Sequence, residues 1–231
     1  MEEGLAESLR LLFELDPYVY NIIGVSLRVT AMALFFSTLI GIPLGTILGL
    51  TNFRGKPLIT ALLYTGMGFP PVVIGLFVFI IFSSVGPMGY LGWLYEIEAI
   101  VTAQTIIAFP LIAGFTMAAV MQVDRNLMKQ LQALGATKFQ AAWSAIKEAR
   151  VGVIVAIIAG FGGIISEVGA VMMVGGNIEG KTRVLTTAIV LETRKGNFGV
   201  ALAFGIILLI IAFLANLSMI YLQKKHLFEQ N

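Results

Sequence analysis

The chain contains no cysteine and a single histidine, His226. The first absence excludes a disulfide framework, a thiolate metal cluster and a catalytic thiol. Charge is scarce as well. The 15 basic and 13 acidic side chains make up 12% of 231 residues, where a soluble domain carries about a quarter. Hydrophobic residues make up 58%, more than one water-soluble core can cover with so few polar side chains, so the excess has to face lipid. The net charge of +2 decides nothing by itself, and no nucleic-acid partner is expected. Once membrane spans are subtracted, no length remains for a separate soluble catalytic domain, and 1–231 reads as one transmembrane unit.

A hydrocarbon core of about 30 Å takes roughly 20 apolar residues per helix. Five stretches meet that requirement, at about 22–50, 57–85, 97–121, 151–174 and 198–222. The expected fold class is therefore all-α, a polytopic membrane protein with five transmembrane helices and its termini on opposite sides. The first twenty residues lack a basic start and a small-residue cleavage site. They carry Glu2, Glu3, Glu7, Glu14 and Asp16 against Arg10, the pattern of an amphipathic lead-in rather than a signal peptide.

Lysines and arginines set the orientation. With the N-terminus outside, the inner segments hold Arg54, Lys56, Arg125, Lys129, Lys138, Lys147, Arg150, Lys224 and Lys225, while the outer ones hold Arg10, Lys181, Arg183, Arg194 and Lys195. An outside N-terminus and a cytoplasmic C-terminus are expected. His226 falls in the basic tail and reads as a solvated residue.

Irregularity is written into the spans. Gly66, Gly68 and Pro70-Pro71 interrupt the second, and Pro43 and Pro110 sit inside the first and third. Gly41, Gly45 and Gly49 recur at helical spacing, which suits close helix packing. Between the third and fourth spans, over 122–150, apolar residues again fall at helical spacing: Leu127, Met128, Leu131 and Leu134, then Phe139, Ala142, Trp143 and Ile146. Asp124 can cap the first short helix, Gly135 can end it in a left-handed turn, and Thr137 can cap the second. By periodicity alone, that stripe either docks on a partner groove or packs beneath the protein's own spans.

A Leu-Gly-Ala turn followed by an aromatic helix, QALGATKFQAAWSAIKEAR, resembles the cytoplasmic loop of ABC importer permeases that docks on the ATPase. The family's usual Glu-Ala-Ala falls here on Lys129, Gln130 and Leu131. VSLRVTAMALFFSTLIGIPLG and FPPVVIGL are similar to the same superfamily, and SEVGAVMMVGGNIEGKTRVLTTAIVLETRKGNF resembles the tungstate and molybdate permeases, most nearly the tungstate branch. The resemblance implies a homodimeric permease in a prokaryotic inner membrane, with two cytoplasmic ABC ATPases beneath it and an external oxyanion-binding protein. It makes 122–150 a helix-turn-helix coupling segment, with Leu127, Leu131, Leu134, Gly135, Ala136, Phe139 and Trp143 as coupling residues. No cofactor is expected on this chain, ATP and magnesium belonging to the partner ATPase, and no metal site or enzymatic activity is expected. A permease for another solute such as sulfate or an amino acid, a self-sufficient transporter or channel, and an intramembrane enzyme are the rivals.

Gly175, Gly180, Lys181 and Thr182 fit the phosphate-loop pattern letter for letter, but a phosphate loop needs a strand feeding the glycine turn, and here a membrane span precedes it. It is read as a decoy. Lys181, Arg183, Arg194 and Lys195 either concentrate an anion at the pore mouth with hydroxyls of Thr182, Thr186 and Thr187, or dock the binding protein, or pair with Glu179 and Glu192. Two charges lie within spans, Arg28 roughly 9 Å and Glu167 about 11 Å below the outer face. They are expected to pair, within one chain or across two. With the family resemblance behind it, the segment 162–176 is the candidate lining of the path, Met172, Met173 and Val174 narrowing it beside Glu167.

Overall fold

A computed structural model describes residues 17–228, and every regular element among them is helical. The expected lead-in falls largely on residues 1–16, outside the described residues, as do the side chains at 224–228. The helices are α1 (Pro17–Leu50), α2 (Lys56–Met67), α3 (Pro71–Phe82), α4 (Ile97–Met121), α5 (Arg125–Ala133), α6 (Lys138–Glu148), α7 (Arg150–Ile165), α8 (Gly169–Gly175), α9 (Leu185–Arg194) and α10 (Phe198–Phe228).

Three helices, α1, α4 and α10, are long and apolar enough to cross a bilayer unbroken. Two bent pairs bring the total to as many as five: α2 with α3, turning through 100°, and α6 with α7, turning through 74°. The stretch 57–85 is thus not one straight span. Pro71 has no amide hydrogen and forces Pro70 into an extended conformation (φ −62°, ψ 120°), so the helix ends at Met67 and restarts beyond the proline pair. The stretch 151–174 also breaks. Helix α7 stops at Ile165, about 24 Å long at 1.5 Å per residue, and after residues 166–168 the short α8 packs against α3.

The first and third spans hold the molecule together. Their contact is the most extensive between any two helices, and glycines set how close they come. A Cβ built on Gly45 would lie 2.4 Å from the Ala113 carbonyl oxygen, and one on Gly41 would meet Ile112 at 2.9 Å. The main apolar cluster joins α1 (Val29, Ala33), α3 (Val78, Phe82), α4 (Ile100, Ala103) and α8 (Val171, Val174). The opposite faces stay apolar and uncovered: Phe35, Leu39 and Ile47 on α1, Phe77 on α3, and Leu209 and Phe213 on α10 are exposed. Those surfaces suit lipid or a second membrane chain.

Candidate functional site

Two ends of the bundle carry its polar chemistry. At one, the chain leaves α4 and forms α5 and α6. The Asp124 carboxylate accepts from the Asn126 amide at 2.8 Å, capping α5. Gly135 then reverses the chain at φ 88°, where its amide and that of Ala136 donate to Gln132 and Leu131 carbonyls. Thr137 and Gln140 cap α6 reciprocally, at 2.8 and 3.2 Å. Helix α6 has two faces. Ala141 and Ala145 are fully buried, and Ala145 and Ile146 pack with Val120, Ala149 and Val153 of the bundle. Leu134, Phe139 and Trp143 point away, 85%, 80% and 53% exposed, with the Lys147 ammonium 5.8 Å from the Trp143 ring centre. Leu127, Leu131 and Ala136 are half-buried. The apolar stripe is therefore divided: Ile146 belongs to the chain's own core, and Leu134, Phe139 and Trp143 are left largely open.

At the other end, the connection from α8 to α10 folds back over the N-terminus of α1. Its phosphate-loop letters do not make a phosphate loop. The amides of Lys181, Thr182 and Arg183 all donate to the Ile178 carbonyl, at 3.2, 2.9 and 2.9 Å, so they converge on an oxygen of the chain itself. The Thr182 hydroxyl donates to the Gly175 carbonyl and accepts from the Ile178 amide, and the Lys181 ammonium bonds the Glu96 carboxylate. The motif closes on its own backbone, as a turn lacking a preceding strand must.

The basic residues here are mostly matched. Arg183 is buried and donates to the Tyr18 hydroxyl at 2.9 Å, to Glu179 at 3.0 Å and to the Asn177 side chain and carbonyl at 3.3 Å. Lys195 bonds Glu192 at 2.8 Å, and Arg194 is exposed. Thr186 donates to the Glu167 carbonyl at 2.9 Å, and Thr187 exchanges bonds with Val184. All three threonines are buried and committed to the fold. Of the readings open for these cations, the geometry shows pairing with Glu179 and Glu192, and adds two partners the sequence did not suggest, Tyr18 and Glu96. Both lie far along the chain from the residues they meet, and no local pattern links them.

Glu192 has a definite pH consequence. It sits outside the spans, 4% exposed, with Lys195 on one oxygen and Asn197 on the other. Burial pushes its pKa up, but the hydrogen bonds from Lys195 and Asn197 outweigh it and hold the carboxyl below its ordinary value, while Glu192 holds Lys195 above its own. A depressed acid stabilises the fold above its unfolded pKa and loses that contribution as pH falls through the folded one. Glu192→Gln should therefore be less stable by about 1 kcal/mol at neutral pH and melt at a lower temperature. Melting curves recorded down to pH 4 should show the difference shrinking; a gap independent of pH would refute the assignment.

The intramembrane pair does not form within one chain. Arg28 is exposed on α1, and the Glu167 carboxylate instead accepts from the Ala170 amide at 2.8 Å, turned onto the first turn of α8 by the break at 166–168. Val174 likewise lines nothing open. It is fully buried in the main cluster, because Ala170 approaches Gly75 so closely that a Cβ there would meet the Ala170 Cα at 2.7 Å. Met172 and Met173 remain partly exposed. An apolar groove of about 370 Å³ opens at the α2–α3 bend between Leu44, Leu63, Phe77 and Phe109, with no charged group in its wall.

The profile of the family described as binding-protein-dependent transport system inner membrane component matches residues 41–226. A probable anion ABC transporter permease protein of Haloferax volcanii is 41% identical over 197 residues, covering 83% of this chain and 85% of that protein. The tungstate uptake system permease protein TupB of Peptoclostridium acidaminophilum is 38% identical, covering 96% of this chain and 98% of its own length. Among solved structures, a bacterial ABC transporter involved in import of the acidic polysaccharide alginate superposes with a TM-score of 0.76 over 95% of this chain and 83% of its own, at 18% identity.

Proposed function

This chain belongs to the family of binding-protein-dependent transport system inner membrane components, and we propose that it is the permease through which an ABC importer moves an oxyanion, tungstate first and molybdate next. The observation that carries the substrate is the end-to-end match to a tungstate permease. The two ions share charge, tetrahedral shape and nearly the same size, which is why molybdate follows.

The chain crosses the membrane five times, through α1, the bent pair α2–α3, α4, the broken stretch α7–α8 and α10, with its N-terminus outside and its C-terminus in the cytoplasm. It acts as a homodimer. An external binding protein delivers the anion, and two ATPases, which hold the ATP and magnesium, close beneath it. The chain itself performs no covalent step. Leu134, Phe139 and Trp143 seat on the ATPase, Leu127, Leu131 and Ala136 support them around Gly135, and α6 passes the motion to α7 across the bend at Ala149. Two findings support this division of labour. Leu134, Phe139 and Trp143 beside the α5–α6 turn are apolar and exposed while Ala145 and Ile146 of α6 are packed against α4 and α7, and rigid coupling of that kind converts a partner's closure into rotation of the bundle.

The translocation path lies between protomers, where Met172, Met173 and Glu167 border it and Arg28 of one copy faces Glu167 of the other. The matched cations at the outer end fit an importer that must release its cargo. Lys181 and Arg183, each held by a carboxylate, attract a dianion without caging it. Uptake into vesicles holding the reconstituted transporter, its ATPase and its binding protein tests the proposal directly. ATP-dependent entry of tungstate and molybdate with sulfate excluded is the expected result; sulfate uptake without tungstate uptake would refute it.

A further inference from the structure

Where α7 ends, α1, α4, α9 and α10 border a small, partly open chamber of about 10 Å³, in which Ser26, Thr30, Gln104 and Thr186 stand among apolar side chains such as Ile164 and Leu185. Gln104 is 97% buried by its 3% exposure, and its Nε2 donates to the Ile164 carbonyl at 3.1 Å. That bond fixes which way the amide lies, because turning it over would set two acceptors against each other. The Oε1 atom then has no hydrogen-bond partner among the described residues. Ser26 already donates to the Ile22 carbonyl and accepts from the Leu185 amide, and Thr186 donates to the Glu167 carbonyl. Each hydroxyl retains a lone pair, and the Thr30 hydroxyl completes the polar wall.

We propose that this chamber is a binding site for one water molecule, which donates to Gln104 Oε1 and to a free lone pair of Ser26 or Thr186 and accepts from the Thr30 hydroxyl. The volume fits one molecule and no larger solute, since a single water needs a chamber of about 10–15 Å³ with two to four polar partners. A buried amide oxygen left bare would be costly, whereas a bridged one is satisfied. The location gives the water a role. Gln104 and Thr186 grip the carbonyls of Ile164, in the last turn of α7, and of Glu167, inside the break between α7 and α8. A water there satisfies the Gln104 oxygen while its amide stays on the last turn of α7 beside the break.

Radiolytic labelling tests this on the full-length chain in lipid nanodiscs equilibrated with water carrying heavy oxygen. A short X-ray pulse makes hydroxyl radicals from bound water, and these oxidise the side chains touching it. Ile164 and Leu185, at 0% and 1% exposure, border the chamber, while Ile100 and Ile112, equally buried, do not. Labelling of the first pair is expected to exceed that of the second by about tenfold and to fall to the same background in Gln104→Met, which fills the space without a polar atom. Should that variant fail to fold, Thr30→Val keeps its shape and makes the same demand. Equal labelling of the two pairs in the wild type, or undiminished labelling in a folded variant, overturns the proposal.

Discussion

Changing Leu134, Phe139 or Trp143 to aspartate should release the ATPase from the permease while leaving the permease folded. Each of these side chains is large, apolar and mostly open to water, and together they surround the left-handed turn at Gly135. Buried anchors of this type carry about 2 kcal/mol or more each at an interface, which is about 30-fold in affinity. A double replacement should therefore abolish co-purification of the ATPase and the uptake it drives. The melting temperature of the isolated permease should stay within a degree or two, because Leu134 and Phe139 are 85% and 80% exposed and Trp143 is half exposed with only Lys147 over its ring. Ala145→Asp supplies the contrast. It lies on the same helix but is fully buried against Val120 and Val153, so it should destabilise the permease itself. If the outward variants retain the ATPase, or melt as early as Ala145→Asp, the docking face has been misassigned.

The second large effect concerns the seam between α1 and α4. Gly45→Val should prevent the bundle from assembling, because even its Cβ would lie 2.4 Å from the Ala113 carbonyl oxygen and 2.9 Å from the Thr116 Cβ. Backbone cannot yield as a flexible side chain does, and overpacking of this kind costs about 3 kcal/mol or more. Little folded protein should reach the membrane. Gly24→Ala on the same helix meets nothing within 4 Å and should be neutral, or slightly stabilising by helix propensity, by up to about 1 kcal/mol. Detergent-solubilised yield and melting temperature, measured side by side, decide the matter. Equal behaviour of the two variants would mean that α1 and α4 do not approach as described.

Much of this was legible locally. The spacing of Gly41, Gly45 and Gly49 marked the packing face of α1 because small residues at helical intervals line one side of a helix. Asp124, Gly135 and Thr137 marked the ends of α5 and α6 because caps and left-handed turns depend on a few adjacent atoms. The false phosphate loop was also legible, since no strand could precede Gly175. The breaks were less so. Pro70-Pro71 announced a kink, but its 100° angle depends on what the two arms pack against. Nothing in SEVGAV announced that α7 would stop at Ile165 and send Glu167 back to the Ala170 amide.

Composition and periodicity determined that this is a helical membrane chain with an apolar elbow, because the cost of exposing greasy surface to water and the pitch of a helix act over a few residues. Tertiary structure alone decided which charges are spent. Lys181 meets Glu96, Arg183 meets Tyr18 and Gln104 meets Ile164 only after distant segments are packed together. Electrostatic and hydrogen-bond partners are fixed by proximity in space, and a linear sequence carries that information only through the fold.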